Sequence, residues 1–388
     1  MKTGMKRLVQ GALVLLILLA VTAIWKREKI TRLFAVNSLF SQEKIVTNFS
    51  NMNAAFLTVP LAENTGTLSP LPQGNDMDLP QDLQGWIDAR AITALVVLKD
   101  GEIRHESYHL GTAAEDKRIS WSVAKSFLSA LMGVVLDQGL IASIDDPVTR
   151  YAPSLIGGAY DGASIRNVLN MASGVRFDED YLDFNSDINR MGRVLALGKS
   201  MDGFAEDLTE TFASPGTEWQ YVSIDTHVIG MVIRGATGRS IPDLMNEHII
   251  GKMGFEAAPY YLSDGEDVAF VLGGLNLRTR DYARFGQMFL QGGMWQDQQV
   301  VPADWVKAST VPSAPTTPGN RQYGFQWWMA PDAPDGEYFA RGIYGQYIFV
   351  DQRNGVVIAA NSADRGFRED GAHRSNIEMF RTLARAAQ

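Results

Sequence analysis

Ser122-Val123-Ala124-Lys125 sets a serine and a lysine three residues apart, at the head of an apolar run that continues to residue 136. Residues spaced i, i+3 share one face of a helix. The pair would therefore place a hydroxyl beside an amine able to take its proton, the arrangement of an activated nucleophile. A serine ahead of a helix can equally cap it by accepting amide N–H bonds, with the lysine there by coincidence, and the tetrapeptide alone leaves both readings open. Lys125 favours chemistry, because an amine set into an apolar run needs a partner or a depressed pKa.

Two later stretches offer the groups such a pair would need. Tyr221-Val222-Ser223 follows the Pro215-Gly216 turn and precedes a helical pattern. Tyr221 can relay a proton to a leaving atom, or simply pack. Arg341-Gly342-Ile343-Tyr344-Gly345-Gln346 lies at the mouth of a strand. Its glycines permit close backbone approach, which suits a pair of amide donors for a developing oxyanion; a glycine-softened edge strand is the alternative. His105, His109, His227, His248 and His373 make no metal-binding spacing, so we expect neither metal nor organic cofactor. Trp327 and Trp328 fall on opposite faces of a strand, and one of them can line a site. Asp178, Glu179, Asp180 and Asp183 form an acidic loop, either solvated or selecting amine-bearing substrates.

The elements that must position these groups follow from pattern. Residues 93–99 read as a strand, Asp100-Gly101 is a hairpin turn, and 102–109 return. The Ser122 helix stops near Gly139. Helices are expected over 164–171, 223–236, 241–249 and 279–290, with a loop over 177–189. Strands are expected over 323–329, 344–350 and 355–360, then an amphipathic helix over 373–387. Strands at both ends of the chain and helices between them predict an α/β (α+β) fold: an antiparallel sheet flanked by helices, a mainly helical lobe over about 140–265, and a site in the cleft between them.

Composition sets the outer bounds. The chain has 388 residues, 46% hydrophobic and 20% charged, a globular balance. Net charge is -9 and Lys and Arg are dispersed, which argues against a nucleic-acid partner. Cys is absent, excluding disulfides and thiolate metal sites. An apolar run over 8–25, broken only by Gln10 and Thr22 and flanked by Lys2, Lys6, Arg7, Lys26, Arg27 and Lys29, is just long enough to span a bilayer. We expect residues 1–29 to be an uncleaved membrane anchor rather than a signal peptide. That would make the cytoplasmic membrane a partner and place the globular part on its extracytoplasmic side. Residues 30–88, rich in proline and small polar residues, are expected to form an extended or linker region partly packed on the main body, 89–386.

The three stretches, in this order, resemble the motifs of the serine beta-lactamase and penicillin-binding-protein superfamily, in its class-C-like branch. Further similar stretches are 100–111, 119–125, 171–181 and 341–346, and the resemblance spans roughly residues 40–386. Within that branch the chain looks most like the 6-aminohexanoate-oligomer hydrolases and related esterases. The resemblance implies a beta-lactamase/transpeptidase-like fold with Ser122 as nucleophile, Lys125 as its proton acceptor and Tyr221 as relay to the leaving group. It also implies an oxyanion hole from the amides of Ser122 and Ile343. Ser223, Gly342 and Tyr344 would line the substrate, and Tyr181 would match a lid tyrosine that donates to the substrate amide nitrogen. Where beta-lactamases carry Lys or His in the third motif, this chain has Ala340. Arg341 could replace that charge, but strand alternation should turn it away from the Ala340 and Gly342 positions. This departure, with Ser223 in place of Asn, moves the expectation from beta-lactams to a linear amide or a carboxylic ester. A short-chain carboxylesterase and a non-catalytic, penicillin-binding-like envelope protein are the alternatives.

Overall fold

The computed structural model describes residues 26–61 and 68–388, with isolated positions 10, 11, 13, 21 and 22 ahead of them. The strands among these residues are β1 (Leu57–Pro60), β2 (Ile92–Lys99), β3 (Glu102–Tyr108), β4 (Lys117–Ile119), β5 (Tyr260–Ser263), β6 (Leu275–Arg278), β7 (Met294–Trp295), β8 (Gln298–Gln299), β9 (Gln322–Tyr323), β10 (Trp328–Met329), β11 (Glu337–Gly342), β12 (Gln346–Asp351) and β13 (Val356–Ser362). A seven-stranded antiparallel sheet runs β3-β2-β13-β12-β11-β10-β9, so both ends of the chain build it, as expected. Its first hairpin turns on Asp100 and Gly101, both at positive φ (51° and 88°). That two-residue geometry matches the twist of the strands it joins.

Alternation along these strands separates two cores. Val96, Leu98, Ala340, Ile348 and Val350 face the larger one, which also holds the helices Ala124–Asp137 and Thr279–Leu290. Leu95, Val97, Phe339, Tyr347 and Phe349 face the other, closed by the helices Leu83–Ala89 and Ala372–Ala386. Helix Ala124–Asp137 is buried from Ala124 through Val135, as befits a helix apolar on every side. The lobe beside the sheet carries the helices Ile165–Leu169, Asp187–Ala196, Met201–Glu206 and Ser223–Thr237.

Several local expectations change. The single strand expected over 323–329 is a hairpin, β9 and β10, turned at Gln326 with φ 66°. The end of the expected loop at 177–189 already belongs to helix Asp187–Ala196, capped by the Ser186 hydroxyl. A second antiparallel sheet, β1-β5-β6-β4, was not foreseen; its strands are at most four residues long, too short to show periodicity. Within 30–88, Leu39, Ile45, Phe49 and Met52 are buried in the larger core.

The expected membrane span needs correction. Among the described residues, no helix is long and apolar enough to cross a membrane. The anchor, the membrane as a partner and the extracytoplasmic placement derived from it are therefore withdrawn. Most of the apolar run at 8–25 lies outside the described residues.

Candidate active site

β4 delivers the chain to Trp121, whose φ of 42° is an outlier for a bulky residue. A 3₁₀ turn, Trp121–Val123, then runs directly into helix Ala124–Asp137. No side chain caps either start, so Ser122 is not a simple cap. The helix is tied to the β9–β10 turn by Ser126 and Ser129, whose hydroxyls donate to the carbonyls of Gln326 and Phe325, each at 2.7 Å.

Lys125 is 1% exposed. Its Nζ donates to the Leu272 carbonyl at 2.8 Å and lies 5.5 Å from the centre of the Tyr221 ring. Among the described residues no carboxylate forms an ion pair with it. Burial pushes the amine down to about 7, while the charges of Glu179 and Asp225 pull the other way.

Tyr221 lines the same cavity wall as Ser122. Its ring stacks on Trp328 at 5.2 Å and 28°. Burial raises this phenol well above its ordinary range, so it stays protonated while the neighbouring amine is ready to lose its proton. Ser223 opens helix Ser223–Thr237 and is buried.

The third stretch closes the gap. β11 pairs with β12 from Glu337↔Asp351 to Gly342↔Gln346. Gly342 passes so near Ser122 that a Cβ on it would sit 3.1 Å from the Ser122 nitrogen and 2.7 Å from the Ser120 carbonyl oxygen. Tyr344 then bends the chain at φ 57°.

Two cavities meet at this point, of about 390 Å³ and about 270 Å³; Ser122, Tyr181 and Ile343 line both. The larger is walled by apolar side chains such as Leu39, Phe40, Phe56, Met191 and Phe270, and Ser223 also borders it. The smaller holds Tyr221, Trp219, Trp328, Arg321, Arg341 and Gly342. Lys125 lies beneath rather than on either wall. Tyr344 lines neither cavity; its ring stacks on Phe40 at 4.8 Å and 13°.

Two carboxyl groups were not singled out from the sequence. Within the acidic loop Asp178, Asp180 and Asp183 are exposed, but Glu179 turns inward. It accepts the Ser223 amide at 2.5 Å and the Tyr181 hydroxyl at 3.0 Å. Burial raises its pKa, opposed first by Lys125. Its spacing of two from Tyr181 was the available signal, since both then face the same side of an extended segment. Asp225, fully buried, accepts the hydroxyls of Tyr160 at 2.7 Å and Ser173 at 2.9 Å, and burial pushes it up to about 8. Arg341 does face the smaller cavity, on the strand face opposite Ala340. Alternation holds, and the face it selects is the one that opens on the site.

Comparison with known proteins gives the family and the fold. The family profile described as Beta-lactamase matches residues 86–378. The 6-aminohexanoate-dimer hydrolase of Paenarthrobacter ureafaciens is 30% identical over 296 residues, 73% of this chain and 75% of the relative. A solved structure from Bacillus anthracis, assigned as a 6-aminohexanoate-dimer hydrolase, superposes with a TM-score of 0.78 at 22% identity, covering 89% of this chain and 95% of that one. EstCE1, a hydrolase with promiscuous acyltransferase activity, shares the fold with a TM-score of 0.58 at 15% identity, over 76% of this chain and 95% of that one. The chain belongs to the beta-lactamase family, within a hydrolase superfamily whose members cleave amide and ester bonds.

Proposed function

We propose that the protein is a serine hydrolase that cleaves a linear amide or a carboxylic ester through an acyl-enzyme on Ser122, with residues 89–386 as its catalytic unit. One observation carries this: Lys125, one helical turn from Ser122, is buried without a carboxylate ion-pair partner among the described residues, and burial lowers its pKa to about 7. An amine kept neutral at that depth is a proton acceptor rather than a surface charge.

In acylation, Ser122 Oγ bonds to the substrate carbonyl carbon as its proton passes to Lys125 Nζ. The amides of Ser122 and Ile343 hold the oxyanion. The carbon–nitrogen or carbon–oxygen bond then breaks, and the leaving atom takes a proton through Tyr221, which shares the smaller cavity with Ser122. Tyr181 turns its hydroxyl from Glu179 to donate to the leaving nitrogen of an amide. Water next attacks the acyl-enzyme, giving its proton back through the same groups and freeing the acid and Ser122. Ser223, Gly342 and Tyr344 shape the surroundings, Tyr344 by packing on Phe40.

The test is intact-mass and peptide mass spectrometry after treatment with a fluorophosphonate serine probe. We expect an adduct on Ser122 that disappears in Lys125→Ala. A folded protein that takes no probe at Ser122 would overturn the proposal.

A further inference from the structure

The two cavities that meet at Ser122 differ in chemistry. Among the described residues the larger has no Asp or Glu in its lining. Two of its longer polar side chains already spend their donors on backbone: Asn189 donates to the carbonyls of Tyr181 and Asp183, and Arg193 donates to the Phe184 carbonyl at 2.7 Å. No described side chain there would pair with an ammonium as an anion, and the largely apolar wall suits a hydrocarbon chain.

The smaller cavity has the opposite character. Arg321 and Arg341 both line it, and neither has an ion-pair or side-chain hydrogen-bond partner among the described residues. Arg321 lies 5.9 Å from the Trp328 ring centre. Its pKa is lowered first by burial and then by the charge of Arg341, so the two guanidiniums repel one another. The cavity's one carboxylate, Glu179, has its oxygens on the Ser223 amide and the Tyr181 hydroxyl. His373, next to the pair and bonded to the Tyr347 hydroxyl, is pushed down to about 3 and adds no charge. Two unpaired guanidiniums in a cleft are a carboxylate receptor awaiting its anion.

The side from which Tyr221 approaches orients the substrate. Tyr221 lines only the smaller cavity, and the group that protonates a leaving atom must stand on the leaving side. We propose that the substrate is an N-acyl amino acid, with a hydrocarbon acyl chain in the larger cavity and the carboxylate of the departing amine held by Arg321 and Arg341. Hydrolysis breaks the amide carbon–nitrogen bond, water supplies the hydroxyl of the released fatty acid, and the amino acid leaves with the proton. This inference rests on the serine-hydrolase proposal above. It departs from an ω-amino acyl substrate, because the acyl side offers no anion for the amine.

The experiment compares kcat/KM for N-octanoylglycine and N-octanoyl-6-aminohexanoate with their carboxamide analogues. A charge-assisted contact should favour the carboxylate by about tenfold to a hundredfold for at least one pair. Arg321→Gln combined with Arg341→Gln should bring that ratio close to one. Gly192 lines the larger cavity, and a Cβ there meets nothing within 4 Å. Gly192→Leu should therefore shift acyl preference from octanoyl toward butanoyl. Equal rates for both members of both pairs, a preference that survives the double Gln variant, or faster turnover of a 6-aminohexanoyl than an octanoyl acyl half would overturn the inference. The serine-probe adduct on each variant separates the two levels. An adduct without carboxylate preference sinks only this inference, and no adduct on the folded wild type sinks the proposal beneath it.

Discussion

The backbone of Gly342 lies against that of Ser122 with no room for a side chain, since an added Cβ would be 2.7 Å from the Ser120 carbonyl oxygen and 3.1 Å from the Ser122 nitrogen. This contact brings the end of β11, and with it the Ile343 amide, to the wall where both cavities meet. In Gly342→Ala the strand must move away. We expect kcat/KM on an ester to fall by about a hundredfold, with a loss of roughly 1–3 kcal/mol in urea unfolding from the overpacked contact. Unchanged kinetics would remove the Ile343 amide from the oxyanion role.

If Lys125 accepts the Ser122 proton as proposed, it sets the acid limb of the pH profile. Burial pushes its amine down to about 7, and only the neutral form can take a proton. As pH falls through that value the amine charges, and kcat/KM should drop about tenfold per pH unit. Above it the rate should level off. A profile flat down to pH about 5 would exclude Lys125 as the acceptor.

Glu179 can be tested through the same limb. Its charge raises the Lys125 pKa, against the larger effect of burial. Glu179→Gln removes the charge and keeps an acceptor for the Ser223 amide, while its NH2 can donate to the Tyr181 hydroxyl. The Lys125 amine should then lose its proton more easily, and the acid limb should move to lower pH. A limb that stays in place or moves upward would show that Glu179 does not act on Lys125 through its charge.

Tyr181 lines both cavities and donates its hydroxyl to Glu179 at 3.0 Å. Tyr181→Phe should cost more on an amide than on an ester of the same acyl group, because only the amide has a leaving nitrogen for the hydroxyl to contact. Steady-state kinetics on a matched amide and ester pair would measure this. Equal losses on the two substrates would remove the proposed contact.

Arg284 makes a separate, structural prediction. It is fully buried and holds Asp281 at 2.8 Å, Glu256 at 2.7 Å and the Ser69 carbonyl at 2.9 Å. Arg284→Met leaves the buried Asp281 carboxyl without its cation, which should cost about 3–5 kcal/mol in urea unfolding. A loss within experimental error would show that the cluster relaxes or hydrates without penalty.

What the amino-acid sequence determined by itself was local and periodic. The three-residue spacing of Ser122 and Lys125 puts them on one helix face whatever surrounds the helix. Short apolar runs and the Asp100-Gly101 turn were enough to place β2 and β3, and similar runs placed the strands near the C-terminus. The order of the three motifs was enough for the family. Only the tertiary structure decided the chemistry around them. Lys125 is dry because the Leu272 carbonyl, 147 residues away, and the Tyr221 ring close over it. Glu179 faces inward while its acidic neighbours face water, and Arg321 and Arg341 share one cavity although they come from different strands and connections. Spacing along a chain specifies which side chains share a face. Desolvation and the field of distant charges depend on what packs across from that face, so the lowered pKa of Lys125 and the two guanidiniums without an ion-pair partner among the described residues had to be read from the fold.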